Sequence, residues 1–237
     1  MTDVRRAGAV VLAAAAFVSI SCARRGSFDN LADIGECDPA TAEFTLDIDN
    51  PFFPLPVGRV LVLESPPGST DELVRITVLD ETETVAGVET RVVEEHEEIG
   101  GSVVEVSRNY FAQTAGGTVC YFGEQVDIYD SHGAVSSHGG AWKADGTTNV
   151  PGIIMPADPQ VDQAFQQEIA PGIAEDQAKV IALDEPTEVP AGTYEETVTT
   201  LDRNPLDGSQ DEKVYARGIG LIVDGPTRLT GFTPGEG

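Results

Sequence analysis

The stretch "DELVRITVLD", residues 71–80, places Val74, Ile76 and Val78 at every second position, with Arg75 and Thr77 between them. Side chains alternate across a strand, so this period of two makes one apolar and one polar face, the mark of a half-buried β-strand. The pattern continues downstream. "GVETRVVEEHEE" (87–98) carries it less regularly, and "SVVEVSRNY" (102–110) puts Val104, Val106 and Tyr110 together. Turn residues separate the runs at Asp80-Glu81-Thr82, Gly100-Gly101 and Gly116-Gly117. Consecutive strands with short turns form an antiparallel meander.

Further along, "GGTVCYFGEQVDIYDSHG" (116–133) reads as a turn, a core strand over 118–122, a second strand over 125–129 and another turn. The last third resumes the strand pattern in "QAKVIALDE" (177–185), "GTYEETVTTLD" (192–202), "DEKVYARGIGLIVDG" (211–225) and "RLTGF" (228–232). The nearest approach to a helical period, over 160–178, is interrupted by Pro171-Gly172. The expected fold is all-β, an antiparallel meander forming a barrel, half-barrel or sandwich. Two segments stand apart from the meander. Residues 44–58, "FTLDIDNPFFPLPVG", predict a short entry strand followed by an apolar plug of Phe52, Phe53 and Leu55. Residues 143–163 carry Pro151, Pro156 and Pro159 around Ile153-Ile154-Met155. Because proline lacks a backbone donor, this region is expected to be a long proline-rich loop with a buried apolar middle.

The chain begins with Arg5 and Arg6, then an apolar run of about 14 residues that ends in the small residues of "VSISC" (18–22). The run is shorter than the roughly 20 residues of a membrane-spanning helix. Residues 1–21 are therefore read as a signal peptide. Cys22, straight after the small residues, is expected to become a lipidated first residue, with simple cleavage or twin-arginine export as alternatives. Polar, aperiodic residues 22–42 read as a flexible tether, and 43–237 as a single β-rich domain.

The full sequence has 14 basic and 40 acidic residues, a net charge of -26. Such a surface repels nucleic acid and anionic headgroups, whose attraction needs clustered Lys and Arg. The expected membrane contact is through the lipid anchor. The cysteines are Cys22, Cys37 and Cys120. If Cys22 carries lipid, Cys37 and Cys120 are left to pair as a disulfide in an export compartment.

Five phrases in order carry a resemblance: "IDNPFFPLPVGRV" (48–60), "YFAQTAGGTVCYFGE" (110–124), "PGIIMPADP" (151–159), "VPAGTYEETV" (189–198) and "VYARGIGLIV" (214–223). Together they resemble a family of bacterial exported β-rich proteins, often lipoproteins, of unknown function. The resemblance implies one compact domain on the outer side of a membrane and brings no catalytic residues. Its relatives tend to have tryptophan where this chain has Cys120, which argues against a nucleophilic cysteine. The last phrase is also similar to half-barrel lipid carriers, in which a curved sheet encloses an apolar cavity.

The candidate chemistry is sparse. Neighbouring acidic residues would raise the Cys120 thiol pKa rather than lower it. No G-x-S-x-G elbow occurs, and Ser137 and His138 are strand neighbours that point to opposite faces. "EEHEE" (94–98) lacks the second histidine of a zinc helix, and Glu94, His96 and Glu98 line one strand face, expected to be solvent. Asp127, Asp130, His132 and His138 could meet across a hairpin and hold a divalent cation. The acidic loop at 202–212 has some oxygens suited to calcium but Leu206 at a ligand place, so a turn at Asp207-Gly208 is the plainer reading. An apolar pocket would draw on Tyr110, Tyr121, Phe122, Tyr129, Trp142, Met155 and Phe165, residues that can equally be core.

The expectation is thus a noncatalytic cell-envelope protein, lipid-anchored on the periplasmic or extracellular side or else secreted. It would need no cofactor and would bind a small or lipid-like ligand or an envelope protein. The alternatives are a metal-dependent or other hydrolase using the His/Asp cluster, and a purely structural envelope protein.

Overall fold

The computed structural model describes residue 28 and residues 31–236. The first strands are β1 (Phe44–Thr45), β2 (Val60–Glu64), β3 (Glu72–Val85), β4 (Val88–Ile99), β5 (Ser102–Thr114) and β6 (Val119–Tyr129). Shorter pieces follow: β7 (Val135–Ser137), β8 (Trp142–Lys143), β9 (Val150–Met155), β10 (Ala164–Gln166) and β11 (Glu168–Ile169). The last are β12 (Gln177–Leu183), β13 (Thr187–Val189), β14 (Gly192–Tyr194), β15 (Thr197–Arg203), β16 (Gln210–Ala216), β17 (Gly220–Asp224) and β18 (Thr227–Thr233). The fold is all-β, as the alternation predicts, and the helical turn among the described residues is the 3-10 segment Ile34–Cys37.

Every strand pairing is antiparallel, and the main path runs β10-β12-β15-β16-β17-β18-β2-β3-β4-β5-β6-β9-β11. The two ends of this path are β10 and β11, which one residue, Gln167, separates in sequence. The sheet therefore curls until its edges nearly meet, as a barrel. The amides of Gln167 and Glu168 both donate to Asp176 O, at 2.8 and 3.2 Å. Gly152 on β9 makes the approach feasible, since a Cβ there would lie 2.2 Å from the Gln167 carbonyl oxygen.

β9 corrects the expectation of a proline-rich loop. Residues 150–155 form a strand that pairs with β6 through Gly152, Ile153 and Met155 and with the two-residue β11 through Val150 and Pro151. Pro151 lies beyond the last residue paired to β6, where that ladder asks it for no donor. The two strands read within 118–129 are likewise one, β6. A register shift between Asn109 and Phe111 bends it near Gly123, whose φ is 124° and where a Cβ would meet Trp142 O at 2.4 Å. The bulge brings Tyr121 and Glu124, three residues apart, near enough for each to influence the other's ionisation.

The plug forms as the sequence suggests and closes one end of the barrel. Asn50, 1% exposed, holds it: its Nδ2 donates to Gly117 O and Pro156 O, while its Oδ1 accepts from the amides of Phe52 and Phe53. Arg59 ties the same end together by donating to the carbonyls of Pro54, Gly218, Ile219 and Pro234. Cys37 and Cys120, both 0% exposed, form the expected disulfide, with Cα atoms 5.7 Å apart. This changes the reading of the tether. From Leu31 onward the segment is docked, through a bridge from Leu31 to Ala164, the Asp33-capped turn and the disulfide. Cys22 and the signal segment lie outside the described residues.

Candidate functional site

Inside the barrel lies a cavity of about 380 Å³. Its lining comes from β2, β3, β4, β5, β6, β9, β11, β15, β16 and β17 as well as the plug, so it is the lumen of the barrel rather than a surface groove. The composition changes along the barrel axis. At the plugged end are Phe53, Leu55, Ile76, Val78, Val93, Phe111, Tyr121, Ile219 and Leu221. Towards the β15–β16 hairpin are Glu95, Glu168, Asp176, Asp202, Asp207, Asp211 and Asp224, seven carboxylates against the cations Arg203 and Lys213, while the third cation of the lining, Arg59, lies at the plug.

The alternation of strands explains how the carboxylates enter. Four glutamates and a histidine in succession at 94–98 must supply both faces of β4. Glu94, His96 and Glu98 take one face, where His96 Nδ1 lies 3.5 Å from Glu98 Oε1. Glu95 and Glu97 take the other with the cavity residue Val93. Glu97 sits directly opposite Glu105 on β5, and Glu95 opposite Ser107. Like charges so placed repel.

Burial is the chief reason that these carboxyls hold their protons to higher pH than usual, because a low-dielectric surrounding disfavours the charged form. It pushes Glu95 up to about 8, helped by Glu97 and Asp224. Glu97 rises to about 7 through burial and the charge of Glu105. Glu105 rises to about 7 through burial and Glu95, and Glu168 to about 7 through burial and Asp176. Asp176 reaches about 6 by burial, against the pull of Lys213. Glu124 is also held well above the usual range by burial and by Glu168.

Lys213 is the counter-charge in this wall. It stands opposite Asp224 in the β16–β17 ladder, with Nζ 3.4 Å from Asp224 Oδ1. Asp224 holds the ammonium well above its ordinary pKa, against the opposing effect of burial. Lys213 keeps 30% of its side chain accessible and Asp224 24%, and both line the cavity. The other two cations are occupied elsewhere. Arg59 serves carbonyls at the plug, and Arg203 donates to Gln177 Oε1 at 2.9 Å with its guanidinium 4.1 Å from the Phe28 ring centre.

The seven proposed pocket residues are mostly placed otherwise. Tyr121 lines the lumen, donating to Asn109 Oδ1 at 2.5 Å and stacking on Phe111 with ring centres 4.8 Å apart. Trp142 touches Tyr121 edge-on at 5.6 Å and points its indole N–H at Glu168 Oε1, 3.4 Å away, one layer behind the lining. Phe122 packs edge-on against Phe44 at 5.3 Å. Tyr110 is buried under the Lys143 ammonium, 4.6 Å from its ring centre. Met155 and Phe165 are fully buried core, and Tyr129 is half-buried on the far part of β6. The strand period brings these six side chains into core or wall positions rather than into the lumen.

The β6–β7 hairpin does not gather the four metal candidates into one cluster. Asp127 Oδ1 lies 2.9 Å from His138 Nδ1, and Asp130 Oδ2 lies 3.8 Å from the 87%-exposed His132 Nδ1. These are two separate pairs, and among the described residues no three His, Cys, Asp or Glu side chains are grouped to hold a metal ion. The amides of His132 and Ala134 donate to Asp130 Oδ1, which makes Asp130 a turn cap. The acidic loop at 202–212 is a hairpin end. Asn204 Oδ1 accepts from Leu206 N and Asp207 Oδ1 from Ser209 N.

Comparison of the chain with protein-family models, with curated proteins and with solved structures finds no match. The lumen is thus read from its own chemistry.

Proposed function

We propose that the protein is a noncatalytic binding protein of the cell envelope, exported and anchored by lipid at Cys22, that takes a small molecule into its barrel. The observation that carries this reading is the 380 Å³ lumen, closed at one end by the Asn50–Arg59 plug and graded from apolar to acidic. That volume lies within the range of roughly 300–1,000 Å³ common to ligand pockets, and an apolar body with a few placed polar groups is their usual composition. Export is supported by the Cys37–Cys120 bridge, a kind of bond that persists in oxidising compartments. No helix among the described residues is long and apolar enough to cross a membrane.

Native mass spectrometry of the protein purified from its own envelope tests the reading. A mass excess that acid denaturation releases is expected. In Val93→Trp, which fills the lumen, the excess should disappear while the strand signal in circular dichroism is kept. A ligand that binds Val93→Trp as well as the parent protein would place it outside the barrel and overturn the proposal.

A further inference from the structure

We infer that the lumen selects organic cations, an ammonium group carried on an apolar body, over neutral or anionic molecules of the same shape. This deepens the reading of the barrel as a ligand-binding protein and rests on it. Three observations converge. The cations of the wall are already engaged: Lys213 with Asp224, Arg203 with Gln177 and Phe28, and Arg59 with four carbonyls. Carboxylates in excess of them remain on the lining, and one is left conspicuously short of partners. Asp176 Oδ1 is buried and accepts no hydrogen bond from any described residue, although a buried carboxylate oxygen ordinarily has a donor. Next to this acidic part runs an aromatic row on the cavity wall. Phe53 meets Phe111 edge-on at 5.3 Å, and Phe111 stacks on Tyr121 at 4.8 Å.

Ring faces carry negative charge density and attract cations, and the effect is stronger where water is excluded. An ammonium between these rings and Glu168, Asp176 or Glu95 would gain that attraction along with charge-assisted hydrogen bonds. Its apolar body would then replace water against Val78, Val93 and Leu221. An anion entering the same space would face the carboxylates with Lys213 already paired to Asp224.

The test is calorimetric titration of the full protein with n-octylammonium, 1-octanol and octanoate, three molecules with one chain and different heads. At pH 8.5, octylammonium is expected to bind about ten-fold or more tighter than octanol, and octanoate weakest. Octylammonium affinity should fall about ten-fold between pH 8.5 and pH 5.5, as the wall carboxylates take up protons, while that of octanol stays level. Binding of octylammonium should be lost in Val93→Trp. If octanol binds as well as octylammonium and both are lost in that variant, the cation inference fails and the binding-protein reading stands. If Val93→Trp leaves octylammonium binding intact, the attraction is to the acidic outer surface and the inference fails. If none of the three binds, the reading of the lumen as a ligand site fails with it.

Discussion

Replacing Glu95 with glutamine should stabilise the protein, and by an amount that depends on pH in a defined way. Glu95 lies on the lumen face of β4, where burial, Glu97 and Asp224 raise its carboxyl to about 8 from 4.5. A group whose folded pKa is raised contributes stability that is fully present below its unfolded pKa and is lost as pH rises through the folded one. The wild-type protein is therefore relieved of the Glu95 charge at pH 4 and increasingly penalised between pH 4.5 and 8. At 1.36 kcal/mol per pH unit, that interval sets an upper bound of about 5 kcal/mol. Water in the lumen and proton sharing with Glu97 reduce it, so a gain of about 2–3 kcal/mol at pH 8.5 is expected for Glu95→Gln, and near zero at pH 4. Urea unfolding of both proteins at pH 4, 6 and 8.5 measures the difference. A gap that is constant with pH, or a variant less stable at pH 8.5, would show that Glu95 ionises freely and would refute its place in the lumen.

Other consequences of the structure are open to direct measurement. Removing the Cys37–Cys120 bridge by Cys37→Ala with Cys120→Ala opens an 83-residue loop and should cost about 4.5 kcal/mol on the loop-entropy model. Thiol titration of the denatured, unreduced parent should find these two cysteines unreactive. Gly152→Ala drives a methyl into the Gln167 carbonyl, so it should destabilise by about 2–4 kcal/mol, with faster amide exchange at Gln167 and Glu168, where the barrel closes. Trp142, the one tryptophan in the sequence, touches Glu168 and Tyr121. Its emission should therefore change with a midpoint near the Glu168 value of about 7. Glu168→Gln should remove that transition, and its persistence in the variant would assign it elsewhere.

The fold was legible because the alternation at 71–80 and in the later runs is a backbone property that survives tertiary packing. The plug and the disulfide were legible too, one from clustered prolines and aromatics, the other from cysteine arithmetic. β9 was not. Three prolines outweigh an Ile-Ile-Met run in any local reading, and it takes the register with β6 to show that Pro151 lies where that ladder needs no donor.

The site was missed for a different reason. Aromatic residues attracted the pocket assignment, yet Phe122, Phe165 and Met155 occupy full core positions while the lumen is lined in good part by acidic residues. A signal for this was present at 94–98. Five consecutive polar, titratable residues within a long strand pattern force two of them, Glu95 and Glu97, onto the inner face. The assignment of Glu94, His96 and Glu98 to a solvent face left the alternate residues Glu95 and Glu97 unplaced. The bulge near Gly123, which puts Tyr121 and Glu124 together, has no local signature beyond the glycine itself, because Trp142 supplies the close contact from a distant segment.

The most direct test of the central claim is an isotope-edited nuclear Overhauser experiment on the labelled protein with n-octylammonium. Contacts are expected from the octyl methyl group to Val78, Val93 and Leu221, and from the protons beside nitrogen to the Phe111 and Tyr121 rings near Asp176 and Glu168. Contacts confined to residues outside the barrel, or an octyl chain lying in the reverse direction with its nitrogen at the plug, would contradict it.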